Sequence, residues 1–442
     1  MSHLQPNLLT RMRRSIRRQT FQGKTDRERM RLTTGDLILH LHPRTVPAAA
    51  LRFTYTFGLG GLAILLLMMM VATGILLMFA YTPSTDTAYT SVITLENEVW
   101  FGQLIRNLHH WSASLLLVVT VLHLLRVVYT GAFRAPREFN WQIGLFLMGL
   151  VIAASFTGYL LPWDQRGYWA VTVATSLIDH IPLIGSGLKT GLLGGDQVNE
   201  NTLHNFYVLH VMIIPLGFLI ATSFHIWRVR KDGISIPRSL KRPDVSSEKL
   251  TTIPHLISRE LVFGLVALAI LLAWSTWIDA PLGAAANPNQ PPNPAKTAWY
   301  FMGIQELLLH VHPTAGAVVI PGLVMAALIL LPYLPDASDT VGFWFRSHRT
   351  RWLCAISFFA GTALATAATV ITENNIHPGG MLPVILLLIL LWLYRWILIR
   401  RGADTGEIHL ALFTLLLAAF LTLTVIGIGF RGDGMALRSP WS

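Results

Sequence analysis

The chain has 442 residues, of which 53% are hydrophobic and only 13% charged. With a mean hydropathy of +0.52, those proportions exclude an ordinary soluble domain and indicate an integral membrane protein. The formal net charge of +11 invites a nucleic-acid reading, which the placement of the charges rules against.

Residues 1–52 mix basic positions with Met12, Ile16, Phe21, Met30, Leu37 and Ile38, a pattern suited to helices lying on a membrane surface. Apolar runs long enough to cross a ~30 Å hydrocarbon core follow at 53–80, 108–128, 141–161, 205–227, 260–279, 316–334, 352–371, 381–399 and 408–429. Read as helices, they make an all-α protein with nine spans. With the N-terminus inside, 28 of the 34 Lys and Arg residues fall on the inner side, leaving Arg106, Arg166, Lys189, Lys296, Arg431 and Arg438 outside. This positive-inside bias predicts an inner N-terminus and, with nine spans, an outer C-terminus. The basic charge is then an orientation signal and an anionic-lipid contact, with no nucleic-acid role.

The connections at 162–204 and 280–315 are long and lie on the outer side, where long loops are commonly functional. The polar stretch 231–255 divides the chain. It therefore reads as a basic segment (1–52), a four-helix part (53–240) and a C-terminal part (241–442). The lone Cys354 excludes an internal disulfide framework, and no C-x-x-C-H haem-attachment motif occurs. The first fifty residues lack the short apolar core of a cleavable signal peptide.

Four histidines carry the functional signal. His109 and His123 are 14 residues apart on one span; His210 and His225 are 15 apart on another. At ~1.5 Å and ~100° per residue, each pair puts two imidazoles on roughly one helix face, roughly 21–22 Å apart. Both spans run from outside to inside, so His109 and His210 share the outer level and His123 and His225 the inner one. Two stacked pairs of imidazoles suit two bis-histidine haems, a ligation that favours electron transfer over oxygen binding. Histidines inside spans are costly without such a role.

Two further features match the histidine interval. Gly60 and Gly74 on the first span are 14 apart, as are Gly144 and Gly158 on the third; small residues let a flat macrocycle or a neighbouring helix approach the backbone. Arg106 and Arg126 each lie three residues from a histidine, toward opposite faces, placed to pair with haem propionates.

The runs Arg106-x-x-His109-x-Trp111-Ser112-Ala113-Ser114, Leu122-His123-x-x-Arg126, Thr130-Gly131-x-Phe133-x-x-Pro136-Arg137-Glu138, Gly158-Tyr159-x-Leu161-Pro162-Trp163-Asp164-Gln165 and Arg230-Lys231-x-Gly233-Ile234-Ser235 resemble the cytochrome b family. The likeness is nearest to the b6 form, whose second histidine pair is also 15 apart. It covers about 55–235 densely. Residues 240–372 resemble that family's second part, subunit IV, here fused to the first; 373–442 add two helices with no clear counterpart.

The resemblance implies two b haems, a quinone or quinol substrate and a place in a quinol-oxidising bc-type complex, a dimeric assembly in a prokaryotic cytoplasmic membrane. A Rieske iron–sulfur protein and a c-type cytochrome would be the partners. It implies an outer quinol site between the 162–204 connection and the 297–312 segment, drawing on Tyr159, Trp299 and Tyr300. It implies an inner quinone site beside the His123–His225 haem, where Arg230, Lys231 and Asp232 are placed to assist proton uptake.

Two positions depart from the family. The b6 cysteine that tethers an extra haem is matched by Gly58, so that bond cannot form here. The family's outer-site Pro-Glu-Trp-Tyr reads Thr297-Ala298-Trp299-Tyr300, without the carboxylate. Glu306 is the expected substitute proton acceptor, with His310 one turn further on as relay. Two other readings stay open: the cytochrome b subunit of another respiratory assembly that couples quinone to a different redox module, and a transporter with intramembrane histidines.

Overall fold

The computed structural model describes residues 7–16, 45–236, 249–335, 341–375 and 382–438. Of the expected surface-helical segment, Leu8–Ile16 is a helix; the remainder up to residue 44 lies outside the described residues.

Among the described residues, nine helices are long and apolar enough to cross a membrane: Leu59–Met78, Gly102–Tyr129, Glu138–Leu160, Glu200–Asp232, Ile257–Trp277, Ala315–Tyr333, His348–Glu373, Pro383–Arg400 and Thr405–Gly429. The protein is an all-α integral membrane protein. The second and fourth spans begin well before the apolar runs expected for them, because their first two turns are polar. The first begins later, since Phe57 and Gly58 both take left-handed backbone angles (φ 51° and 62°) and break the run after Thr56. One short antiparallel pairing, Thr45–Pro47 with Lys249–Thr251, ties the segment before the first span to the start of the fifth.

Spans one to four share an apolar core that includes Leu62, Leu66, Leu116, Val151, Ile214 and Phe218. Leu271 of the fifth span belongs to the same cluster. Asn107 reinforces this: its amide donates to the Ser275 carbonyl (2.9 Å), and its oxygen accepts from the Ala280 N–H (2.8 Å). The polar stretch after Asp232 thus divides the chain in sequence but not in packing.

The 162–204 connection is itself helical, over Gln165–Ile178 and Gly185–Leu193. Asp164 caps the first of these through the Gly167 N–H (2.8 Å). Its other oxygen accepts from the Gly283 N–H (2.7 Å), joining the two long connections.

Spans seven and nine pack so closely that a Cβ on Gly361 would lie 2.2 Å from the Leu415 carbonyl oxygen. Such contact through small residues drives association where lipid removes the hydrophobic incentive. Arg11 bonds the Tyr333 carbonyl at the end of the sixth span, whereas Arg431 meets Glu373 at the end of the seventh. Successive spans alternate in direction, so these two contacts lie at opposite ends of the bundle. A reporter active only in the cytoplasm should therefore work when fused before Met1 and be silent after Ser442; activity at both ends would mean an even number of spans.

Two tiers of paired histidines and an outer cleft

His109 and His210 face each other with ring centroids 6.2 Å apart and planes at 68°. His123 and His225 are near neighbours in the tier below. All four lie deep in the bundle, yet each keeps some accessible surface, so the rings line internal space.

The four glycines stand beside the imidazoles. Each lies against one histidine: an added Cβ would stand 3.8 Å from His123 at Gly60, 3.2 Å from His109 at Gly74, 3.5 Å from His225 at Gly144 and 2.6 Å from His210 at Gly158.

Two threonines unnoticed in the sequence fix the outer tautomers. Thr73 Oγ1 lies 2.9 Å from His109 Nδ1, and Thr157 Oγ1 lies 3.1 Å from His210 Nδ1. Each hydroxyl donates its single proton back along its own helix, to the Met69 carbonyl (2.7 Å) and the Ala153 carbonyl (2.8 Å). With the hydroxyl protons so placed, Nδ1–H is the group that donates to each threonine, and for His210 also toward the Ala154 carbonyl; that tautomer leaves Nε2 with a free lone pair, as metal ligation requires. The signal was available: both threonines immediately precede a spaced glycine.

The 15-residue interval has a physical explanation. Over Leu209–Ile213 the fourth span widens, and the Ile214 N–H reaches the Leu209 carbonyl five residues back. Pro215, which has no N–H, sits just beyond and favours such a break. A π-turn absorbs one extra residue, so 15 residues span the phase that 14 do on the second helix.

The two arginines diverge. Arg126 is buried; its Nε donates to the Tyr55 carbonyl (3.3 Å), its guanidinium lies 4.8 Å from the Tyr55 ring centroid, and one terminal nitrogen has no partner among the described residues. That orphan donor fits an anion beside the inner tier. Arg106 instead pairs with Glu96 and donates to the Ala280 (2.9 Å) and Pro281 (3.1 Å) carbonyls. The structure therefore ties Arg106 to the outer loops and gives it a carboxylate partner ten residues away in Glu96, where the sequence reading expects a haem propionate as its partner.

At the inner end, Asp232 is buried in an ion pair with Arg228 (3.0 Å), and the Lys231 ammonium sits 4.7 Å from the Trp227 ring centroid. Arg230 is half-buried on the same turn. Sequence reasoning missed Glu260. Its carboxylate comes within 3.0 Å of where a Gly61 Cβ would be, one residue from the glycine that faces His123, and it forms no ion pair among the described residues. At Gly58, the Phe263 ring lies 2.9 Å from the position of an added Cβ, so an aromatic side chain covers the spot where the b6 form carries its cysteine.

At the outer end, a cleft of about 350 Å³ opens between the two long connections, lined by Tyr159, Arg166 and Trp169 on one side and Pro294, Thr297 and Gln305 on the other. Tyr300 does not line this cleft but lies near Tyr159, which does; burial, then that neighbouring phenol, raises its pKa above the ordinary 10.0, and its buried hydroxyl has no hydrogen-bond partner among the described residues. Trp299 is partly exposed. Glu306 is not at the cleft. It is fully buried against Arg431, with contacts of 2.6, 2.9 and 3.2 Å, and lies 3.0 Å from His310 Nε2. Burial alone would raise its pKa, but the hydrogen bonds from His310 and Arg431 and the charge of Arg431 bring it below the ordinary 4.5. The expectation that Glu306 receives the quinol proton is therefore revised: its oxygens are already committed, and its basicity is lowered.

The fold is that of a multi-span membrane protein whose bundle brings four imidazoles together in two tiers. A family model for cytochrome b/b6/petB matches residues 46–233. Cytochrome b6 of Heliobacterium modesticaldum is 45% identical over 199 residues, 44% of this chain and 90% of that protein. Cytochrome b of Arabidopsis thaliana is 34% identical over 288 residues, 63% of this chain and 72% of that one; that alignment is too long to end with the four-helix part. A chain of a hyperthermophilic respiratory Complex III shares the fold at 22% identity, with a TM-score of 0.65 over 91% of this chain and 96% of its own. The chain belongs to the cytochrome b/b6 family, whose members bind haem b.

Replacing Gly158 with Ala should displace His210 and remove one haem signal, since the added Cβ would be 2.6 Å from the ring. The same change at Gly60 meets His123 at an ordinary 3.8 Å and should leave both signals. Equal haem loss in the two variants, measured optically, would refute this account of the glycines.

Acid should weaken the Glu306 pairing. A carboxylate held below its ordinary pKa stabilises the fold fully above that value and loses the contribution as pH falls through its lowered one. The thermal midpoint of the wild-type chain should drop on acidification below 4.5, and more steeply than that of Glu306→Gln. Parallel curves would argue against an ionised Glu306.

Proposed function

We propose that this chain is the cytochrome b subunit of a bc-type quinol oxidoreductase, carrying electrons across a prokaryotic cytoplasmic membrane between two quinone sites. His109 and His210 would hold the outer b haem and His123 and His225 the inner one. When bound, the haems supply one-electron transfer, and the protein sets ligation, spacing and dielectric. The observation that carries the reading is the two-tier set of imidazoles, each with a glycine against it and, in the outer tier, a threonine holding Nδ1–H.

The cleft between Tyr159 and Thr297 is the outer quinol site in this reading. The Tyr300 hydroxyl, beside Tyr159 of the cleft lining and without a hydrogen-bond partner among the described residues, would donate to a quinone oxygen, and the Trp169 face would pack against the ring. The inner site lies by Arg126 and Glu260, with Arg230, Lys231 and Asp232 at the inner surface. Glu260, with no ion pair among the described residues, is the better inner proton donor, because Asp232 is tied to Arg228. A Rieske iron–sulfur protein and a c-type cytochrome would accept electrons on the outer side, in a dimeric complex surrounded by lipid.

A second reading, the b subunit of an assembly with a different outer redox module, is favoured by one feature. Among the described residues, the side chains lining the cleft include two cations, Arg166 and Lys296, and no carboxylate.

In the purified complex, a soluble quinol should reduce the haem optically, and Tyr300→Phe should slow this by roughly ten- to a hundredfold without shifting the haem bands. Acid–acetone should extract all the haem. Quinol that reduces no haem, or haem retained on the polypeptide, would contradict the proposal.

A further inference from the structure

One wall of the outer cleft meets the four-helix bundle through its aromatic residues, Phe301 against Phe156 (ring centroids 5.7 Å) and Tyr300 against the apolar core. Its polar fastenings run to the ninth span and its tail. The Gly434 N–H donates to Asn293 Oδ1 (2.5 Å), and Lys296 Nζ donates to the Ile428 carbonyl (3.0 Å). Gly303 and Gly427 permit the close approach: a Cβ on Gly303 would lie 2.5 Å from Thr424 Oγ1, and one on Gly427 would lie 3.1 Å from Met302.

The strongest fastening is Arg431. Its Nε and one terminal nitrogen clasp Glu306, and the other terminal nitrogen bonds Glu373 (2.7 Å) and the Met435 carbonyl (2.8 Å). Glu373 also accepts from the Leu437 N–H (3.2 Å), so the tail and the seventh span are locked by the same group.

Glu306 and Gln305 are neighbours on the helix Met302–His310, pointing ~100° apart. Gln305 lines the cleft and pins its wall: its oxygen accepts from the Thr297 N–H (2.9 Å), and its amide donates to the Ala295 carbonyl (2.6 Å). The short helix is therefore a bracket, held by Arg431 on one side and holding residues 295–297 on the other.

We propose that the ninth span and its tail, through the Arg431–Glu306 pair, are the positioning element for this wall of the outer quinone site. The site's identity rests on the function proposed above; the mechanical coupling does not. Arg431 and Glu306 are positioning residues that act through Gln305 and touch no substrate. Removing Arg431 leaves the buried Glu306 with His310 as its remaining partner, and removing Glu306 leaves Arg431 held by Glu373; either change weakens a buried ion pair and loosens the bracket from the same point.

Hydrogen exchange in the intact complex tests this directly, using Arg431→Gln, Glu306→Gln, the double variant and Arg431→Lys. Amides of 295–310 should exchange about tenfold faster or more in each single variant, with the double variant no faster than the singles and Arg431→Lys partly protected. The Michaelis constant for quinol should rise about tenfold, with haem bands and the pH profile of turnover unchanged. Should the Arg431 variants fail to assemble, Asn293→Ala breaks the exposed link to Gly434 without stranding a charge, and should give a smaller rise in exchange over the same amides. Wild-type protection in Arg431→Gln, or in Asn293→Ala where that variant stands in, would overturn the proposal. So would a Glu306→Gln variant that keeps its protection but loses turnover, which would make Glu306 the base. A wild-type complex that oxidises no quinol would reject the assigned function, while the exchange data would still decide the clamp.

Discussion

An imidazole buried in a membrane bundle must satisfy two demands at once: room beside a helix backbone, and a settled proton on the ring nitrogen that faces away from its partner. The outer tier meets both with adjacent residues. Gly74 and Gly158 admit the rings, while Thr73 and Thr157, one position earlier, receive Nδ1–H and return their own proton to the helix. The four-helix arrangement is the geometry in which spans one and three can serve ligands carried by spans two and four. The π-turn beside Pro215 belongs to the same constraint, since without it His210 and His225 would fall out of phase.

Much of this was legible from residue spacing, because a helix converts sequence interval directly into height and azimuth. Nine spans, the stacked histidines and the glycine interval all follow from that conversion. Contacts between distant segments did not. Arg106 pairs with Glu96 across the turn that precedes the second span, Arg126 reaches back to Tyr55, and Glu306 finds its arginine on a tail 125 residues away. Glu306 shows why such distance matters. A carboxylate near an aromatic pair on an outer loop reads as a proton acceptor until the cation that neutralises it is in view.

The C-terminal part thereby acquires a structural reason. Spans seven and nine meet through Gly361, and the tail after Phe430 folds over Glu373 and Glu306. A buried arginine flanked by two carboxylates is a poor source of net stability, because desolvation offsets much of the attraction. Its value lies in geometry: a guanidinium with its donors committed admits one arrangement of the groups around it. One of those groups, Glu306, is adjacent to Gln305 of the cleft wall, so in the proposed clamp a helix distant in sequence sets the shape of a site built mainly from the first three hundred residues.

The central claim is that both histidine tiers are haem ligands. Haem content per polypeptide, together with low-temperature electron paramagnetic resonance of the purified chain in its complex, tests it most directly. Two b-type haems per chain are expected, both low-spin with two histidine ligands, the outer lost on replacing His109 or His210 and the inner on replacing His123 or His225. A single haem, or a high-spin centre with an open axial position in the wild-type protein, would contradict it.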